Sequence, residues 1–219
     1  MVGARDEAGE SASRERIVAC ATKEFLEKGF SGASLRTIAS AAQMTTGAIY
    51  GYFAGKEALF DAVVSPAADE LYRRYRRMQE EFYQLPPEDQ TFERMQDYEH
   101  DEISGLLDFA YDHRDVFVLV LSKSAGTSWE RYLDAFVDVE VDSTFRYVRE
   151  MRERGVAVND VEPRMARIVA SMFLHGYFEP LLRGVPREEA HAFADDLERF
   201  FRAGYEELMN PEVGRASER

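Results

Sequence analysis

The 219-residue chain carries 41 acidic and 27 strongly basic residues, a formal net charge of −14. With 45% hydrophobic and 12% aromatic residues it is not a wholly disordered polymer, and this length allows one or two domains with a real core. Its longest purely apolar run, Val116–Leu121, falls far short of the ~18 residues a membrane helix needs. The charged N-terminus (Arg5, Asp6, Glu7, Glu10) lacks the apolar stretch of a signal peptide. The single cysteine, Cys20, cannot form an internal disulfide, and no Cys/His grouping has zinc-ligand spacing. A cytoplasmic protein with no membrane segment, metal or cofactor is expected.

Charge is unevenly spread. Residues 1–57 hold seven bases and seven acids, so residues 58–219 carry the whole net charge. Residues 28–56 contain no acid at all, where about five would be expected by chance, but do contain Lys28, Arg36 and Lys56. Clearing one segment of carboxylates in so acidic a chain suits contact with phosphates. A buried segment unable to hold charge is the plainer alternative.

Apolar positions recur at helical spacing throughout, and no stretch alternates for long, so an all-α fold is expected. Residues 13–56 resolve into three helices. The first runs from about Ser13 to Lys28, with Ile17, Cys20, Ala21 and Phe25 on one face, and Gly29 ends it. The second begins near Ser34, whose hydroxyl can cap it, and turns Leu35, Ile38 and Ala39 inward. The third spans about Thr45–Gly51 with Ile49 inward and Phe53 packing just beyond. The turn Ala42-Gln43-Met44 joins the two short helices as a helix-turn-helix.

The string Ile17, Ala21, Phe25, Gly29-Phe30, Ser34, Ile38-Ala39, Thr45, Gly47, Ile49-Tyr50, Tyr52-Phe53, Lys56-Glu57, Leu59 resembles the N-terminal domain of TetR/AcrR-family transcriptional regulators. The likeness covers about 45 residues at ungapped spacing. It implies double-stranded operator DNA as partner, with Ser34, Thr45, Tyr50 and Lys56 at phosphates. Arg36 and Thr37 then face the groove, Thr46 and Gly47 approach base edges, and Tyr52 stands where the family commonly has His. Gln43 departs from the family's frequent Gly in the turn, and Thr46 and Ala48 depart from its Lys and Thr, so base contacts do not transfer. A seven-residue helix is ~10 Å long and fits a major groove, and Thr46 offers a hydroxyl to bases and a methyl to thymine.

A longer helix is expected from Lys56 to about Tyr83, kinked or broken near Ala62–Pro66. Its run Arg73, Arg74, Arg76 and Arg77 has acids at i±4 and reads as a salt-bridged, solvated face. Helices follow at about 91–112, 114–123 and 127–154, the last opening with Thr127 and Glu130 in capping-box spacing and closed by Gly155. The next opens at Asp160 and ends by Gly184, and the last runs from near Pro186 to before Pro211. This final pair is apolar over more than one face, as a homodimer through about residues 160–209 would require.

The expected organisation is a DNA-binding domain over 11–57 and a helical ligand-binding and dimerisation domain over 58–211, with disordered tails at 1–10 and 212–219. Tyr98, Phe109, Trp129, Tyr132, Met172 and His175 are the candidate lining of an apolar pocket of ~300–1,000 Å³ for an unidentified small effector. His100 among Asp97, Glu99, Asp101 and Glu102 reads as a solvated helix face rather than a metal site, and Ser122, Ser124 and Ser128 lack a nucleophile's context. No catalytic residue is assigned. The function expected is a repressor released from a palindromic operator by a small apolar ligand, with Pro66 as candidate hinge. The alternatives are a DNA-binding regulator without a small-molecule effector and a helical enzyme.

Overall fold

The computed structural model describes residues 3–86 and 92–210, with side chains described for 9–86 and 102–210. The helices are α1 (Gly3–Gly32), α2 (Leu35–Ala41), α3 (Thr46–Tyr52), α4 (Lys56–Phe82), α5 (Phe92–Asp112), α6 (Arg114–Ser122), α7 (Tyr132–Glu153), α8 (Pro163–Arg183) and α9 (Arg187–Met209). A short 3₁₀ turn, Ser128–Arg131, precedes α7. The described residues contain no strand. No helix among them is long and apolar enough to cross a membrane.

The chain divides into two compact units, and the division departs from the sequence boundary at residue 57. The first unit holds the chain up to Glu70 together with His113–Tyr132, and the second holds Leu71–Asp112 and the chain from Leu133 on. The physical reason is burial. Leu119 and Val120 of α6 join Ile17, Phe25, Ile38, Ile49, Leu59 and Phe60 in one apolar core, and Trp129 and Tyr132 pack at its edge. Residues 113–132 therefore belong to the N-terminal unit, although residues 71–112 come between them and the rest of it.

In this first unit Gly29 breaks α1 with φ 68°, ψ 168°, an angle that L side chains rarely adopt. The break lets Phe30 donate its amide to the Lys123 carbonyl at 2.9 Å, while Ser31 Oγ donates to Ala125 O at 3.0 Å. Gly29 thus ends the regular helix where the sequence places its end. At the other end α1 starts ten residues earlier than expected, at Gly3. The 212–219 tail lies outside the described residues.

The second unit packs α5, α8 and α9 on one another. Residues 133–153 of α7 bury Leu133, Phe136, Val137, Thr144, Tyr147, Val148 and Met151 along one stripe. Gly155 closes α7 as expected, with φ 77°. Two helix starts differ from the sequence reading. Glu162, not Asp160, caps α8 by accepting the Met165 amide at 3.0 Å, and Asp160 instead pairs with Arg152 at 2.8 Å. The Thr127–Glu130 box is displaced: Thr127 Oγ1 accepts from Trp129 N at 3.1 Å, and Glu130 accepts from Gly126 N rather than from Thr127.

Helix α4 is not broken at Pro66. Its helical span continues to Phe82. Pro66 is exposed, while Val63, Val64, Ala67 and Ala68 on either side are buried, so core contacts on the opposite face hold the helix through the missing hydrogen bond. Along the arginine run, Arg76 pairs with Glu80 at 3.0 Å, and the Arg74 guanidinium lies 4.2 Å from the Phe109 ring centroid. Pro66→Ala restores the amide donor that the Ala62 carbonyl lacks. It should stabilise the protein by about 1–3 kcal/mol, read as a higher thermal midpoint. A lower midpoint would mean that the ring itself packs.

Candidate functional site

The surface formed by α2 and α3 is built from two seven-residue helices, each too short to persist alone. Both are held by apolar anchors: Ile38 and Ala39 from α2, Ile49 from α3, and Phe53 just beyond it, all buried. Ala42 is also fully buried, which pins the intervening turn from beneath. Gln43 takes φ 58°, the left-handed angle of a helix-turn-helix turn, without being glycine. The less favourable angle is thus adopted, and the turn keeps the geometry that glycine usually supplies. Thr45 caps α3 by accepting the Ala48 amide at 3.1 Å.

With the anchors inward, Ser34, Arg36, Thr37, Thr45, Gly47 and Tyr50 are exposed, and Thr46 is half-buried. Tyr50 presents 57% of its surface, so it is not a core tyrosine. Ser34 occupies the N-cap of α2 but its hydroxyl makes no capping bond, and its amide is taken by Glu24 at 3.1 Å. That hydroxyl stays available. Tyr52 instead leans on the apolar core. Lys56 has a structural role as well: its Nζ donates to the carbonyls of Ser31 and Ala33 at 3.3 and 3.1 Å and sits 4.6 Å over the Phe30 ring centroid. It closes the end of α1, and the ammonium's third donor remains for a phosphate.

One cation of this surface has no motif in the sequence. Arg14 of α1 lies over the Phe53 ring at 5.2 Å, beside the end of α3. Neither Arg14 nor Arg36 makes an ion pair among the described residues, whereas Arg146, Arg152, Arg167, Arg183, Arg187 and Arg199 of the acidic second unit all do. Cations without an ion pair among the described residues, at and beside a segment without acids, suit contact with a polyanion.

The expected effector lining is not assembled by the fold. Trp129 and Tyr132 belong to the first unit, where Trp129 Nε1 donates to Asp61 Oδ1 at 2.8 Å and Tyr132 donates to Ala68 O at 2.7 Å. Both polar tips are satisfied by α4, and burial pushes the Tyr132 phenol well above its ordinary range. Met172 and His175 face outward on α8, because the buried face of that helix is Ala166, Ala170, Leu174, Tyr177, Phe178 and Leu181. Phe109 lies under Arg74. The side chains of Tyr98 and His100 lie outside the described residues.

A different set encloses a small apolar cavity in the second unit: Leu71, Tyr75, Ile103, Leu106, Phe136, Phe173, Leu174, Tyr177 and Phe178. Its volume is about 20 Å³, room for one water-sized sphere, so this cavity is not itself the drug-sized pocket expected from the sequence. Beside it runs a polar chain. Glu140 accepts from the Tyr75 hydroxyl at 2.6 Å and from Gln79 Nε2 at 2.9 Å. Ser143 Oγ donates to Gln79 Oε1 at 2.7 Å, and Tyr83 donates to Ser143 O at 2.7 Å. Burial pushes the Glu140 carboxyl up, only partly offset by its two hydrogen bonds, and lifts the Tyr83 phenol to about 12. The sequence carried a signal here. Glu140 falls on the stripe of Leu133, Phe136, Val137, Thr144 and Tyr147, the buried face of α7.

Residues 17–63 match the family model for bacterial regulatory proteins of the tetR family. The N-terminal part of the chain is thus similar to the DNA-binding domain of that family. The HTH-type transcriptional repressor KstR2 of Rhodococcus jostii (strain RHA1) is 32% identical over 75 residues, 34% of this chain. The match spans 37% of that repressor's length. Solved structures extend the likeness of fold to nearly the whole chain. A TetR-like transcriptional regulator from Rhodococcus sp. RHA1 superposes at TM-score 0.58 with 17% identity, covering 88% of this chain and 94% of that one. SmeT, the repressor of the Stenotrophomonas maltophilia multidrug efflux pump SmeDEF, gives 0.56 with 18% identity over 91% and 92%. FadR of Bacillus subtilis, in complex with stearoyl-CoA, gives 0.54 with 16% identity over 87% and 98%.

The turn and cap are open to direct test by thermal or denaturant unfolding. Gln43→Gly should raise stability by about 0.5–1 kcal/mol by removing the left-handed penalty, while a β-branched Val there should lower it. Thr45→Ala should cost about 1 kcal/mol through the lost cap. A neutral Gln43→Gly result together with a neutral Thr45→Ala result would show that neither feature holds the reading surface.

Proposed function

We propose that this chain is a TetR-family, sequence-specific DNA-binding repressor that works as a cytoplasmic homodimer on a palindromic operator and is released by a small apolar ligand. The observation that carries the DNA reading is the α2–α3 surface. Its segment, residues 28–56, contains no acid, it exposes Ser34, Arg36, Thr37, Thr45, Gly47 and Tyr50, and it is flanked by Arg14, which makes no ion pair among the described residues. In this reading Thr46 and Gly47 meet base edges, while Ser34, Tyr50, Lys56 and Arg14 hold phosphates and fix the register. Tyr52 supports the end of α3.

The dimer reading rests on α8 and α9. Met165, Ile168, Met172 and His175 follow one another at spacings of three, four and three residues on an exposed stripe of α8. Phe193, Phe200 and Leu208 stand exposed on α9, Phe200 with 70% of its surface. Large apolar side chains left this open favour a second copy of the same pair, forming a four-helix interface with two-fold symmetry. Two symmetric recognition helices then require repeated half-sites, and a ligand that alters their spacing releases the DNA. SmeT and the stearoyl-CoA complex of FadR support a ligand-responsive second unit by likeness of fold. A second reading has its own support. The small size of this cavity among the described residues, about 20 Å³, favours a regulator controlled by a protein partner or acting without an effector. Melting curves across a metabolite and drug library separate the two, since only the first predicts stabilisation by a small molecule.

Two outcomes are expected. On an operator duplex Tyr50→Phe should weaken binding by on the order of 1 kcal/mol, and Arg14→Ala and Arg36→Ala should each lower the slope of log affinity against log salt by about 1. Wild-type affinity and slope in all three variants would displace the reading surface from α2–α3. In sedimentation, wild type should run as a dimer at micromolar concentration and Phe200→Glu as a monomer. A wild-type monomer would refute the interface.

A further inference from the structure

Helices α5 and α9 of the second unit are joined by a polar cluster that the DNA reading does not use. His191 of α9 bridges two residues one turn apart on α5: its Nε2 lies 2.9 Å from Asp108 Oδ1 and its Nδ1 3.2 Å from Ser104 Oγ. Arg187, one turn before His191, pairs with the same Asp108 at 3.6 Å and also donates to Asp112. Its guanidinium lies 5.8 Å from the Tyr111 ring centroid, and the Tyr111 hydroxyl donates to Val185 O at 2.9 Å. The His191 and Asp108 side chains keep 28% and 49% of their surface, so water reaches the pair.

Two carboxylates meet one guanidinium in this cluster, so it carries one net negative charge while His191 is neutral. The charged neighbours deepen that imbalance. Glu188 and Asp195 stand within one turn of His191 on α9 and make no ion pair among the described residues. Helix α8 packs against both helices and brings the Tyr177 phenol, which donates to Ile103 O at 2.8 Å. Burial first, and then Glu198, Asp195 and Asp108, push that phenol well above its ordinary range. The Arg183 guanidinium of α8 is answered by Glu179, and Arg74 of α4 lies over the Phe109 ring. Both states of His191 fit its bonds. Neutral, the ring donates from Nε2 to Asp108 and accepts at Nδ1 from the Ser104 hydroxyl; protonated, it donates at both, and the hydroxyl turns to accept. Protonation thus changes the charge of the seam without costing a hydrogen bond. We propose that this seam is a proton-operated clasp, closed when His191 is protonated and eased when the ring is neutral. Proton concentration is then an input to the second unit that needs no small-molecule effector.

The test is amide hydrogen exchange on the full-length protein, with each rate divided by the intrinsic rate at the same pH. From about pH 8 to about pH 6, wild type should gain roughly three- to tenfold protection over residues 104–112 and 187–195. His191→Gln, neutral at both values, should stay at the lower protection. His191→Lys, charged at both, should likewise show no dependence on pH. Asp108→Asn removes the carboxylate but keeps an acceptor for the ring, and it should lose most of the gain. Should His191→Gln fail to fold, this variant still decides. Other histidines are present in every variant, so the difference from wild type isolates His191. A gain in His191→Gln or Asp108→Asn equal to that of wild type would overturn the proposal. Unchanged protection in wild type, or protection that rises toward the higher pH, would do the same.

Discussion

Everything attributed to the reading surface depends on the burial of a few apolar side chains beneath two helices that could not exist alone. A seven-residue helix pays most of its nucleation cost for few internal hydrogen bonds, so α2 and α3 persist only while Ile38, Ala39, Ala42 and Ile49 stay in the core with Phe25 and Phe60. The T-shaped pair of Phe25 and Phe60, 5.0 Å between centroids, joins α1 to α4 directly under them. Because anchoring is complete on the inner side, the outer side is left free to carry only what a polyanion needs. The same core explains why Lys56 can close the end of α1 and still stand beside the α2–α3 surface.

The two units handle charge in opposite ways. In the second unit carboxylates are answered by arginines one turn away or on a neighbouring helix, as in Arg146 with Glu150 and Arg187 with Asp112. Such exposed pairs contribute little stability, but they leave few cations to attract nucleic acid. In the first unit Arg14 and Arg36 make no ion pair among the described residues. The exception within the second unit is Glu140, which is drawn inward and answered only by neutral donors. Its cost is offset by the hydrogen-bond chain through Gln79, Ser143 and Tyr83, and that chain is intact only while each member keeps its orientation.

The helices were legible in the sequence because burial on one face writes a 3.6-residue period, and the α2–α3 pair was legible to within a residue. Contacts across sequence were not. Residues 113–132 read as part of a contiguous second domain, and only the fold reveals that Leu119 and Val120 complete the first core. That single misplacement moved Trp129 and Tyr132 into the wrong unit. Met172 and His175 failed for another reason: α8 is apolar on two faces, and periodicity alone cannot say which one meets its own core. Pro66 was read from its missing amide, without the four buried neighbours that hold α4 through it. Arg14 was invisible because its place beside α3 depends on Phe53, 39 positions later.

The central claim is that α3 reads bases on a symmetric target. Selecting bound duplexes from a randomised pool with wild type and with Thr46→Ala tests it most directly. Wild type should enrich an inverted repeat, and Thr46→Ala should change the preferred base at the same one or two positions in each half while keeping the half-site spacing. Enrichment of no repeated half-site, or a motif identical for the two proteins, would contradict the account.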